Sequence, residues 1–142
     1  MKSNVTKGLV FTAIRTMMEL IDIVVMVLAL MINNEEITTI ALVISAVLYI
    51  VLAIVPHFFV KKTSFWINTL CNFIAQILFA VITCLLLMIV IMFDTSDAAG
   101  WLIFIWMGVV VILCPIYFVI NLIVDLIAFL IFKNKKEEFY NG

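Results

Sequence analysis

Four long apolar runs joined by very short polar connections constrain this chain more than any motif it carries. The runs cover about residues 9–32, 37–60, 65–93 and 101–132. An α-helix rises about 1.5 Å per residue, so each run is long enough to cross a hydrocarbon core of about 30 Å. With 68% hydrophobic residues, 12% charged and a mean hydropathy of +1.37, the chain departs from water-soluble domains, which are about half apolar. The expected fold class is an all-α integral membrane protein.

The net charge of -1 says little, but the placement of charges says much. Every lysine lies outside the runs, at Lys2, Lys7, Lys61, Lys62, Lys133, Lys135 and Lys136, whereas the connections at 33–36 and 94–100 carry only Glu35, Glu36, Asp94 and Asp97. The positive-inside rule then predicts cytoplasmic termini, a cytoplasmic middle loop and two acidic outer turns. Short connections make consecutive helices antiparallel neighbours. The expectation is a four-helix antiparallel transmembrane bundle, N-in/C-in, forming one membrane domain over residues 1–142 with basic cytoplasmic tails.

The first run resembles a secretory leader in following Lys2 and Lys7. It is too long for an h-region, holds three charges and ends in Met31-Ile-Asn-Asn-Glu-Glu without a small-x-small site, so a retained span is expected. Asn4-Val5-Thr6 matches a glycosylation sequon but falls on the expected cytoplasmic side. The fourth run would measure about 48 Å if straight, so a helix kink is expected at Pro115. Pro56 sits similarly near the inner end of the second span, beside His57.

Within the first run, Arg15, Glu19 and Asp22 share one helix face. Each charge costs about 2.5–3.5 kcal/mol near the centre of a spanning helix, so such groups face a bundle interior, water or a partner. Asn68, Asn72 and Gln76 repeat every four residues along the third run, as do Tyr117, Asn121 and Asp125 along the fourth. Counted from the cytoplasmic ends, Arg15, Asn72 and Asp125 all lie about 10 Å deep. The candidate intramembrane polar cluster is therefore Arg15, Glu19, Asp22, Asn72, Gln76, Asn121 and Asp125.

The amides alone read as interhelical glue worth about 0.6–2 kcal/mol each. The charges ask for more, since Glu19, Asp22 and Asp125 face Arg15 as the one intramembrane base. The surplus acid implies a held proton, a bound cation, a base from another chain, or an inner vestibule in which Arg15 snorkels to the headgroups and the acids meet water.

Catalytic readings fare poorly. His57 reads as an interfacial side chain, and Cys71, Cys84 and Cys114 form no C-x-x-C pair and read as small apolar fillers. With no nucleophile motif, phosphate loop or metal-ligand set, no catalytic residue, metal or cofactor is assigned, and an intramembrane enzyme is the remote alternative. Glu19 resembles the glutamate that small four-span multidrug exporters place in their first helix, but their glycine-rich packing is missing and no family is assigned. Only Gly108 lies well inside a span, which weighs against the broken helices of carriers.

The expected function is a small accessory, regulatory or immunity-type membrane protein that packs against a membrane-protein partner or a second copy of itself. Its supports are adaptable methionines (Met17, Met18, Met26, Met31), the small-residue pair Ala41-x-x-x-Ser45, and charges available for pairing in trans. The basic tail at Lys133-Asn-Lys-Lys reads first as a topology determinant and second as an anionic-lipid or partner contact. The alternative is a proton- or cation-linked carrier or channel subunit. Expected partners are the lipid bilayer and a membrane protein, with a proton or cation in the alternative, and no nucleic acid. Usage rich in Ile, Phe and Lys suits a bacterial plasma membrane.

Overall fold

The computed structural model describes the backbone of residues 2–32, 34–60, 64–93 and 97–141, and side chains within 4–32, 34–60, 64–93, 100–101 and 103–131. Lys61 and Lys62 of the expected inner loop, Asp94 of the second outer turn, and the side chains of Asp97, Lys2, Lys133, Lys135 and Lys136 lie outside the described residues.

The described chain is all-helical, with no strand: α1 Lys2–Leu30, α2 Glu35–Leu52, α3 Val55–Phe59, α4 Phe65–Phe93 and α5 Asp97–Asn141. α2 and α3 follow one another as a single interrupted helix, so there are four helices in all. Three stretches, Glu35–Phe59, Phe65–Phe93 and Ile103–Ile131, are long and apolar enough to cross a membrane, which is compatible with a membrane location. α1 equals α4 in length at 29 residues, but Arg15, Glu19 and Asp22 set it apart from those three.

Local chemistry explains the helix boundaries. Asn34 has extended backbone (φ -153°) and its side-chain oxygen accepts the Ile37 N–H at 3.2 Å, capping α2, while Glu35 and Glu36 place negative charge in the first turn. Pro56 ends α2, because it has no N–H for the Leu52 carbonyl and its ring crowds that turn. The Ala53 N–H closes back on the Tyr49 carbonyl at 2.8 Å, and the chain restarts at Val55 with Pro56 in the first turn of α3. There the His57 N–H bonds the Ile54 carbonyl at 3.0 Å instead of that of Ala53. The Ala53 carbonyl is thereby released for another donor. α5, in contrast, continues through Pro115, where the unbonded carbonyl belongs to the exposed Val111.

α1 packs along α2, α3 and α4, and α4 packs along α5. As residue numbers rise along α1 from Arg15 through Glu19 to Asp22, their partners fall from Ala53 through Tyr49 to Ser45, and from Asp125 through Asn121 to Tyr117. Along α4 the partners rise instead, from Asn72 to Gln76.

The molecule is polar within and apolar without. Only between 11% and 22% of each apolar span is buried, and large hydrophobics such as Trp66, Phe73, Met88 and Phe104 are exposed. Ionic, amide and hydroxyl side chains fill the middle of the interior. Ile23, Tyr49, Phe79, Val110 and Tyr117 form an apolar cluster at one end of that polar layer, and Phe11, Val60 and Cys71 form a smaller one at the other. Phe79, fully buried with its ring 5.5 Å from that of Tyr117, is expected to cost about 3–5 kcal/mol on replacement by alanine. Phe93→Ala, at a side chain 88% exposed, is expected to change the denaturation midpoint of the purified protein little.

Candidate functional site

The polar layer is built around Arg15, a side chain 1% exposed. A guanidinium has five N–H donors and no acceptor, so burial requires a wall of oxygens. Three helices supply it: Asn72 Oδ1 accepts from Nη1 at 2.7 Å, while the released Ala53 carbonyl at 3.2 Å and Asp125 Oδ1 at 3.0 Å accept from Nη2. The Phe11 ring lies 4.8 Å from the guanidinium carbon, adding a cation–π contact, and Nε–H has no partner.

Asp125 is saturated in turn. Its Oδ1 also receives His57 Nε2 at 2.7 Å, and its Oδ2 accepts from Asn72 Nδ2 at 2.8 Å. A carboxylate paired with arginine has no hydrogen to give, so the proton in the His57 contact sits on Nε2. Asn72 lies between the charges with its oxygen toward Arg15 and its nitrogen toward Asp125, the orientation their signs demand.

One turn further along α1, Glu19 Oε1 accepts from Gln76 Nε2 at 2.6 Å and Asn121 Nδ2 at 2.9 Å. Tyr49 OH stands 3.4 Å from the same oxygen and 2.9 Å from Asn121 Oδ1, the nearer acceptor for its single hydrogen. Asp22 is served by hydroxyls, with Ser45 Oγ donating to Oδ1 at 2.8 Å and Tyr117 OH to Oδ2 at 2.6 Å. All seven candidate residues are thus buried in the interior, in three neighbouring sets of interhelical hydrogen bonds centred on Arg15 with Asp125, on Glu19 and on Asp22.

Sequence reasoning missed the contribution of the second helix. Ser45, Tyr49, Ala53 and His57 follow one another every four residues, the spacing that marked the stripes of the other helices. Ser45, a small packing residue by its spacing from Ala41, donates to Asp22. His57, expected at the interface from its position, has a side chain 10% exposed that bonds Asp125, with its ring edge-on to Phe11 at 5.4 Å. The periodicity was a usable signal, whereas the Ala53 carbonyl was visible only through the break at Pro56. Asn68 is also buried, with its Oδ1 unpartnered, as are Thr12 and Thr16, whose hydroxyls donate to the carbonyls of Gly8 and Thr12.

No carboxylate, histidine and cysteine grouping able to hold a metal ion occurs among the described residues. No protein-family model matches the chain, and neither the curated proteins nor the solved structures compared with it give a match.

Removing one member of a buried ion pair strands the other. Arg15→Met and Asp125→Leu are each expected to cost about 3–5 kcal/mol, and the double replacement less than either single change. Denaturation midpoints of the three variants in one detergent measure this.

Proposed function

We propose that this chain is a four-helix antiparallel transmembrane protein with both termini in the cytoplasm, acting as an accessory or regulatory subunit through its lateral surface. The observation that carries this reading is that the charged side chains of the layer are turned inward and hydrogen-bonded across helices within the chain, while the outward faces are apolar. A carrier needs polar groups along a route. Among the described residues, apolar side chains flank the layer, Phe11, Val60 and Cys71 toward one end and Ile23, Phe79 and Val110 toward the other, with the buried Asn68 and Thr83 as isolated polar groups beyond them. The lateral surface includes an apolar groove of about 360 Å³ between α2, α3 and α5, walled by Ile50, Ile54, Phe58, Ile127 and Ile131. Side chains of this kind suit helix packing in lipid, where association depends on close van der Waals fit.

Extraction in mild detergent after crosslinking in native membranes is expected to yield a stoichiometric complex with a membrane protein or a second copy of this chain. Ile54→Trp and Ile127→Trp, which fill the groove, are expected to reduce its recovery severalfold; repeated recovery of the bare chain overturns the reading. For the orientation, a cysteine placed at Glu35 is expected to react with an impermeant label from outside the cell, and protection there reverses it.

The second reading, a proton- or cation-linked carrier or channel subunit, draws support from Glu19, a fully buried acid with one oxygen lacking a partner. It requires flux in liposomes that Glu19→Gln or Asp22→Asn abolishes. The accessory reading expects no such flux from the protein in any oligomeric form.

A further inference from the structure

Glu19 is the acid whose hydrogen bonds do not close. Its Oε1 is crowded by amide donors from Gln76 and Asn121, while its Oε2, buried with the rest of the side chain, has no partner. Gln76, already joined to Glu19 through Nε2, also has its own Oε1 buried and unpartnered. Both orphaned atoms are acceptors on two groups that already share one bond. Neither can satisfy the other without a hydrogen between them.

The surrounding charges point the same way. Arg15 lies one turn away on α1, but its guanidinium is committed to Asn72, Ala53 and Asp125. Asp22, one turn the other way, adds negative charge. From α2 the titratable group facing Glu19 is Tyr49, and from α3 His57 is engaged by Asp125. From α5, Cys114 reaches the Gln76 carbonyl at 4.0 Å, Tyr117 serves Asp22, and Asp125 is held by Arg15; α4 offers Asn72, Gln76 and Cys84. Arg15, the cation of the layer, is bonded to Asp125 and makes no hydrogen bond to Glu19. A dry carboxylate with one bare oxygen and no cation bonded to it costs several kcal/mol, and such a group takes up a proton instead.

We propose that Glu19 is a proton-binding site, in which an exchangeable hydrogen on Oε2 is donated to Gln76 Oε1 while Asp125 remains the carboxylate of the Arg15 pair. The carboxylic acid and the amide then exchange two hydrogen bonds, and both orphaned acceptors are satisfied by one proton. This assignment does not depend on whether the lateral surface binds a partner.

Infrared spectroscopy of the intact protein in an ester-free detergent at neutral pH tests the assignment. The expected spectrum contains the carbonyl band of a protonated carboxylic acid, shifted to lower wavenumber in D2O, lost in Glu19→Gln and retained in Asp125→Asn. Gln76→Leu, which removes the acceptor but not the acid, is expected to keep the band and move it to higher wavenumber. Glu19→Gln mimics the neutral acid and is expected to keep the wild-type thermal midpoint, while Asp125→Asn lowers it. Absence of the band in the folded wild type, its survival in Glu19→Gln, or a midpoint that rises with added sodium or potassium in wild type but not in Glu19→Gln overturns the proposal. The last result would make the ligand a metal cation.

Discussion

A guanidinium that leaves water must take its hydrogen-bond acceptors with it, and the interior of this protein is arranged around that requirement at Arg15. The Asn72 amide, the Asp125 carboxylate and the Ala53 carbonyl come from different helices, and each is within 3.2 Å of an Arg15 nitrogen. Their convergence sets the register of α1 against its neighbours. Once Arg15 and Asp125 meet, helical periodicity brings Glu19 to Asn121 and Asp22 to Tyr117. A slip of one helix by a single residue would strand a buried charge, so the polar layer specifies one packing far more sharply than the apolar side chains do.

The break at Pro56 belongs to the same economy of acceptors. In an unbroken helix the Ala53 carbonyl would accept from the His57 N–H and would have to share its oxygen between that donor and Arg15. The proline deprives Leu52 of its usual donor, the following turn tightens, and His57 turns to the Ile54 carbonyl. One residue thus frees a carbonyl for the cation and carries the His57 side chain to Asp125. α5 shows that proline alone does not dictate this outcome, since the helix there continues past Pro115.

The structure also changes the terms of the charge imbalance among the three acids and Arg15. Asp125 takes the arginine and the His57 N–H, Asp22 is served by two hydroxyls, and Glu19 is left with neutral amide donors on one side. Each acid is solvated by a different chemistry, and only Glu19 is left with a buried oxygen that has no donor. Surplus acid in the sequence therefore resolves into a question about one carboxyl group.

Much of this was legible in the sequence. The apolar runs set the helices, because a stretch that long and that apolar has few other ways to satisfy its backbone. The spacing of Arg15, Glu19 and Asp22, of Asn72 and Gln76, and of Asn121 and Asp125 marked which helix faces carry the polar groups, since a 3.6-residue period puts such residues on one side. What only the tertiary structure decided was pairing: which acid takes the arginine, that His57 turns inward, that Ser45 and Tyr49 are donors, and that a main-chain carbonyl completes the site. Periodicity is a property of one helix at a time, whereas a hydrogen bond between helices depends on their relative rotation and height. Those are fixed only when all the buried donors and acceptors are satisfied together.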